Sequence, residues 1–207
     1  MQAFTTITGK LAPLPAANID TDVIMPKQFL KGIDRQGLDR GVFFDLRFLA
    51  DGAPNPDFIL NQPGWQNATF LLVGANFGCG SSREHAVWGL NQLGIRAIIG
   101  TSFAGIFDDN CQRNGVLTLS LSEADYQRLS AVAADAQRNT ISVSLEQQTI
   151  QFADEVIHFT VSALKREMLI GGGSAVDWTL QYEADISQFE VQHFAQRPWL
   201  QRTREQP

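Results

Sequence analysis

The segment Gly74-Ala-Asn-Phe-Gly-Cys-Gly-Ser-Ser-Arg-Glu-His-Ala86 concentrates groups that could act on an anionic substrate. Gly74, Gly78 and Gly80 let the backbone turn sharply and approach a ligand closely. Arg83 can hold a carboxylate through two parallel N–H bonds, and Ser81 and Ser82 place hydroxyls beside it. The spacing predicts entry into a helix here, whose N-terminal N–H groups and dipole favour negative charge. The chemistry this suits is capture of an acid with a hydroxyl held next to it.

Each of these residues also has a purely structural use. Ser81-Ser-Arg-Glu84 has the S-x-x-E spacing of a capping box, so Ser81 and Glu84 could simply close the helix N-terminus. A histidine such as His85, one helical turn from the cap, often serves only as a structural hydrogen-bonder. Cys79 could be an activated thiolate at the helix end, but no dedicated His or Asn partner is evident. Known nucleotide and hydrolase motifs fit badly. No Gly-Lys-Ser/Thr of a P-loop is present, Arg83 stands where a dinucleotide fingerprint begun by Gly78-Cys-Gly80 needs its third glycine, and there is no Gly-x-Ser-x-Gly elbow.

The elements that must position this segment follow from hydrophobic pattern. Thr69-Phe-Leu-Leu-Val73 is a continuous apolar run, as in a strand buried on both faces. A helix is expected from about Ser82 to Leu93, capped by Gly94, then a strand at Ala97-Ile-Ile99. A short helix near Ala104–Asn110, a strand at Val116–Leu121 and a helix capped by Ser122 continue the alternation. The period then changes to two, with Ile141, Val143 and Leu145, Ile150 and Phe152, and Ile157, Phe159 and Val161 marking antiparallel strands. Before the motif lie a strand within 4–15, an exposed loop over 27–41, and Phe43, Phe44, Leu46, Phe48 and Leu49, read as a buried short helix or turn. After the strands come a helix near Ser162–Ile170 ending at Gly171-Gly-Gly173, and a last helix carrying Ile186, Phe189 and His193. The whole reads as one α/β domain over 1–207 with a mixed sheet flanked by helices, a C-terminal helix and tail starting at about 181.

Composition narrows the function. The 14 phenylalanines can build a core, and a net charge of −6 argues against binding nucleic acid through phosphates. The two cysteines, Cys79 and Cys111, are no disulfide framework, and with three scattered histidines they are too few for a zinc cage or an iron–sulfur cluster. No signal peptide and no membrane span are read, so a cytoplasmic protein is expected.

The run Asn76-Phe-Gly-Cys-Gly-Ser-Ser-Arg-Glu-His-Ala86 closely resembles the signature of the swivelling domain of the aconitase superfamily. Asn18-Ile-Asp-Thr-Asp-Val-Ile-Met-Pro-Lys-Gln-Phe-Leu30, Phe44-Asp-Leu-Arg-Phe-Leu49 and Gly100-Thr-Ser-Phe-Ala-Gly-Ile-Phe107 are similar, in the same order, to segments of bacterial 3-isopropylmalate dehydratase small subunits. The resemblance implies the β/β/α swivelling fold of the aconitase C-terminal type. It implies that Ser81 is the catalytic base, that Arg83 binds a substrate carboxylate and steadies the serine alkoxide, and that Ser82 is a further substrate contact. By the same resemblance Asp22 is an acidic active-site position, and Phe29, Leu30 and Lys31 belong to a loop that discriminates the substrate's side group. A large partner subunit would carry a [4Fe–4S] cluster, and this chain would bind no metal or cofactor itself.

Two segments depart from the family pattern: Val176-Asp-Trp-Thr-Leu180 stands where Ile-Gly-Leu-Thr-Leu is expected, and Asp108-Asp-Asn110 where Asn or Tyr-Asn is expected. Three readings therefore stay open. The chain is the small subunit of a leucine-pathway isomerase acting on isopropylmalate, or of a related hydro-lyase acting on citraconate, dimethylmaleate or homoaconitate, or it is a non-catalytic anion-binding module.

Overall fold

Four consecutive apolar side chains can all be buried in a strand only if both faces of the sheet are covered, and strands β2 (Phe70–Val73) and β3 (Ala97–Gly100) are buried at every position. The computed structural model describes residues 1–31 and 35–200. Its sheet has seven strands in the order β4-β3-β2-β1-β5-β6-β7, with β1 (Thr6–Leu14), β4 (Leu117–Ser120), β5 (Thr140–Ser144), β6 (Thr149–Phe152) and β7 (Glu155–His158) completing it. β1 to β4 run parallel, and β5, β6 and β7 add antiparallel to the other edge of β1. The mixed sheet expected from the change of period is therefore present, and β1 is its joint.

β1 is nine residues long because its two halves have different partners. Thr6–Lys10 pairs with β5, and Leu11–Leu14 pairs with β2. Pro13 is tolerated in this central strand for a positional reason. The Leu11 N–H reaches the Asn139 carbonyl at 2.8 Å, so Pro13, two residues on, faces the same side, where the β5 ladder has already ended at Lys10–Thr140. Its missing N–H removes no ladder bond.

Alternate side chains of β2 and β3 feed two cores. Leu71, Val73 and Ile98 join Met25, Val42, Phe43 and Phe77 on one face. That core is covered by helices α1 (Thr21–Ile24), α3 (His85–Gln92) and α4 (Gly105–Arg113), through residues such as Ile24, Leu90 and Phe107, whereas the single turn α2 (Phe44–Arg47) buries no residue of its own. Phe70, Leu72, Ala97 and Ile99 face the other core, closed by Leu129 of α5 (Glu123–Ala133) and Leu169 of α6 (Ala163–Gly171). The Ser122 cap and the glycine stops at Gly94 and after α6 are those the sequence predicts, and Ser162 adds a further cap. Ser122 accepts the Asp125 N–H, Ser162 accepts the Lys165 N–H, and Gly94 (φ +99) and Gly172 (φ +66) turn the chain after α3 and α6.

Some expectations need correction. Leu46 and Leu49 are 38% and 47% exposed rather than buried, because α2 is a single turn whose inward side is taken by Phe43. The 27–41 segment is not exposed throughout. Leu38 and Gly41 are buried against α3, and the Leu38 N–H donates to Gln92 at 2.8 Å. Residues 32–34 of that segment and the tail beyond Leu200 lie outside the described residues. Two helices close the chain, α7 (Ala175–Thr179) and α8 (Glu183–Gln196), and α8 leaves Ile186 and Phe189 exposed.

Candidate active site

The site lies beyond the C-terminal ends of the parallel strands, where open α/β sheets place their ligand crevices. After β2 the chain runs between two neighbours. On one side the Asn18, Gly78 and Thr21 N–H groups pair with Ala75, Ile19 and Cys79 carbonyls, each at 2.8 Å. On the other side Phe77 donates to the Ser102 carbonyl at 3.3 Å and accepts from Ala104 at 3.1 Å. The loop after β2 is thus held as a short extension of the sheet between the loops after β1 and β3. Asn76, in the left-handed region at φ 57, ties across through its side chain to Asn18 at 2.8 Å. Gly78 is required on two counts: its φ is +76, and a Cβ there would lie 2.2 Å from the Phe107 ring.

The Ser81-x-x-Glu84 spacing does not form a capping box. α3 begins only at His85, Glu84 occupies its cap position without a side-chain bond, and the Glu84 carboxylate instead accepts the Asn114 amide at 2.7 Å. The reason is tertiary. Ser81 is pinned to Thr21, and the Arg83 N–H turns back to the Ser81 carbonyl at 2.7 Å, which keeps the chain in a tight turn short of the helix. The Ser81 hydroxyl is consequently not used as a helix cap. It is exposed, and Arg83 Nε donates to its Oγ at 3.1 Å.

Arg83 is gripped from both ends. Its Nη1 hydrogen-bonds and ion-pairs with Asp22 Oδ1, and the Lys27 ammonium stands 4.0 Å from the other Asp22 oxygen. The Arg83 side chain is 23% exposed and that of Asp22 44%, so the guanidinium is largely sheltered but still reachable from solvent. Ser81, Ser82 and Arg83 line a pocket of about 140 Å³ together with Thr21, Ala104, Gly105, Ile106, Phe107 and Asn110.

The helix terminus that opens into this pocket is that of α4, not α3. Ala104, at its cap, makes no side-chain hydrogen bond, so the first-turn N–H groups are left for a ligand. The acidic Asp108 in that first turn is tied off elsewhere. Lys165 donates to its Oδ1 at 2.8 Å and to Thr118 Oγ1 at 2.7 Å, and Thr118 also hydrogen-bonds Asp108. The aspartate that departs from the family pattern at 108 is thus balanced by a lysine, and α4 is fastened to β4 and α6.

The remaining residues singled out by sequence divide clearly. Phe29 and Leu30 are partly buried against the core below the site, with the Phe29 ring 5.0 Å from that of Phe44, while Lys31 is exposed; none of the three lines the pocket. His85 packs on Trp88, ring centroids 4.6 Å apart, in a structural role. Cys79 is half buried, and its carbonyl accepts the Thr21 N–H. Cys111 is wholly buried, which pushes its thiol well above the usual range, with nearby Asp108 adding to the shift. Asp177 and Trp178 are used locally. Asp177 forms a capping box with Ser174, Trp178 meets Tyr182 edge-on at 5.5 Å, and neither lines the Ser81 pocket. Sequence reasoning missed Thr21, Lys27 and Asn110 as site residues. The signal available for Thr21 was its place between Asp20 and Asp22.

Among the described residues, no cluster of three or more His, Cys, Asp or Glu side chains could hold a metal ion. With Cys111 sealed in the core, the cysteines also do not fit as ligands of an iron–sulfur cluster. No helix among the described residues is long and apolar enough to cross a membrane.

Known proteins resemble this chain over nearly its whole length. Residues 1–124 match the Aconitase C-terminal domain family, and residues 176–203 match the family of the C-terminal domain of the 3-isopropylmalate dehydratase small subunit. The chain is 66% identical to 3-isopropylmalate dehydratase small subunit 2 of Salmonella typhimurium, covering 98% of this chain and 97% of that protein. It is 62% identical to 3-isopropylmalate dehydratase small subunit 1 of Mannheimia succiniciproducens, covering 97% and 99%. A crystal structure of 3-isopropylmalate dehydratase from Methanocaldococcus jannaschii superposes with a TM-score of 0.66 at 23% identity, over 89% of this chain and 99% of that one, and shares the fold.

Proposed function

The chain belongs to the family of 3-isopropylmalate dehydratase small subunits, the small partners of a hydro-lyase, and from that membership we propose that it contributes the base side of an active site shared with a large subunit. The complex would interconvert 2-isopropylmalate and 3-isopropylmalate through isopropylmaleate, in leucine biosynthesis in the cytoplasm. The observation that carries this reading is the Arg83 Nε–Ser81 Oγ contact of 3.1 Å, in a pocket faced by the uncapped α4 terminus.

In this proposal a substrate carboxylate docks between Arg83, which lines the pocket, and the α4 N–H groups, with Ser82 as a further contact. Ser81 Oγ takes the proton from the carbon beside that carboxylate. Arg83 Nε supports the alkoxide, lowering the cost of using a hydroxyl as a base. Asp22 holds the far end of the guanidinium so that Nε stays aimed at Ser81. Phe29, Leu30 and Lys31, on the segment that follows α1, do not line the pocket in the chain alone, so they would meet the substrate's side group only through rearrangement in the assembled complex. A [4Fe–4S] cluster on the large subunit would supply Lewis acidity toward the substrate hydroxyl. Ser81 and Ser82 are exposed in the chain alone, and a base of this kind needs water excluded, so the large subunit would also act as the lid.

The rival substrates rested on Asp177 and Trp178, which fall outside the pocket and are used in local packing. The test is reconstitution. The purified chain is mixed anaerobically with the cluster-bearing large subunit of the same source, and formation of the alkene diacid from 3-isopropylmalate is followed by ultraviolet absorbance. Activity in the mixture and in neither part alone supports the proposal. Silence from a formed complex with an intact cluster contradicts it.

A further inference from the structure

Thr21 is 2% exposed, and its hydroxyl is committed to one residue. Oγ1 donates to the Ser81 carbonyl at 2.9 Å and accepts the Ser81 N–H at 3.0 Å. A hydroxyl has one proton to give and lone pairs to receive, so a single small side chain satisfies both main-chain groups of Ser81. We propose that Thr21 is a positioning residue for the reaction: it fixes the backbone of Ser81 and through it the direction of Oγ. The inference rests on the reading of Ser81 as the base.

The surroundings explain why such a clamp is needed. Ser81 follows a glycine-rich turn with Gly78 at φ +76 and Gly80 at φ +92, and the serine itself is exposed. Apart from the Thr21 clamp, its main chain among the described residues holds only the turn bond from the Arg83 N–H at 2.7 Å. α1 is rigid enough to serve as the anchor, although it is only four residues long. Asp20 caps it through the Val23 N–H at 2.8 Å, the Thr21 N–H is bonded to the Cys79 carbonyl, and Ile24 and Met25 are fully buried. Two adjacent residues of α1 then grip the two reacting partners. Thr21 takes the backbone of Ser81, and Asp22 takes the guanidinium that faces the Ser81 hydroxyl. Geometry of this precision matters because a displacement of about 1 Å at a reacting group can cost about 10² in rate.

The experiment uses the assembled two-subunit enzyme with Thr21→Val, Thr21→Ser and Thr21→Cys in the small subunit, each compared at equal assembled complex. For Thr21→Val, kcat should fall about 10- to 100-fold while KM for 3-isopropylmalate changes less than about 3-fold. Thr21→Ser, which keeps the hydroxyl, should bring kcat back to within about 3-fold of the parent. A merely structural role would instead lower the yield of complex and leave kcat per complex unchanged, so a normal kcat for Thr21→Val overturns the proposal. If Thr21→Val does not assemble, Thr21→Cys decides, since the thiol keeps the volume but is a weaker donor and acceptor. A kcat below that of Thr21→Ser supports the clamp, and one equal to the parent overturns it. Ser81→Ala measured alongside separates the two claims. An active Ser81→Ala complex removes the base assignment and this inference with it, whereas an inactive one beside a normal Thr21→Val removes this inference alone.

Discussion

Replacing Gly78 by alanine tests how tightly the loop carrying the site is packed. Its φ of +76 imposes the left-handed conformation, which costs a non-glycine residue about 1–2 kcal/mol. The new methyl would sit 2.2 Å from the Phe107 ring, which is buried in the core and already packs edge-on against Phe77 at 5.5 Å. Forcing that ring aside is an overpacking event of about 1–3 kcal/mol. The two contributions give a loss of about 2–5 kcal/mol, a large share of the roughly 5–15 kcal/mol that stabilises a domain. Gly94→Ala is the control, because Gly94 has φ +99 but nothing within 4 Å of a would-be Cβ, leaving only the conformational cost. Urea unfolding of the two variants should show the lower midpoint for Gly78→Ala at unchanged slope, the difference between them amounting to about 1–3 kcal/mol. Equal midpoints would refute the reasoning, since Phe107 could not then be pressed against Gly78.

Two further outcomes follow from the polar ties. Lys165→Met strips Asp108 and Thr118 of their shared ammonium. The Lys165 and Asp108 side chains are 12% and 39% exposed, so water softens the loss to about 1–2 kcal/mol rather than the cost of a fully buried pair. Thermal unfolding should show a Tm lower by roughly 2–8 °C, partly recovered by adding Asp108→Asn; an unchanged Tm would contradict the tie. The Asp177 carboxyl is held below its ordinary value of 3.8 by the Ser174 backbone N–H and then by the Ser174 hydroxyl. The box therefore supports α7 above that ordinary value, and its support is lost as pH falls through the depressed folded value. An NMR titration of the Asp177 carboxyl should show its midpoint below 3.8 in the parent and only partly raised in Ser174→Ala, which removes the hydroxyl but keeps the backbone N–H; a parent midpoint at or above 3.8 would count against the box.

Much of the architecture was legible because it is written in local period. The Phe70–Val73 run had no half-exposed alternative, and the alternation at Ile141, Val143, Ile150 and Ile157 could bury its apolar set only as antiparallel strands. The site's residues were legible as a motif, but their geometry was not. Ser81 and Glu84 have the spacing of a cap, and what keeps them from forming one is Thr21, sixty residues earlier in the chain. The helix terminus facing the pocket belongs to α4, whose cap is an alanine, and an absent capping side chain gives pattern reading little to notice. Leu46 and Leu49 misled in the opposite direction. Hydrophobicity alone assigned both to the core, whereas they are 38% and 47% exposed.

The most direct test of the account is turnover by the reconstituted complex carrying Ser81→Ala. A serine acting as general base contributes about 10²–10⁴ in rate, so kcat should fall by at least about 10² with complex formation intact. Turnover close to that of the parent complex would contradict the assignment of Ser81 as the base.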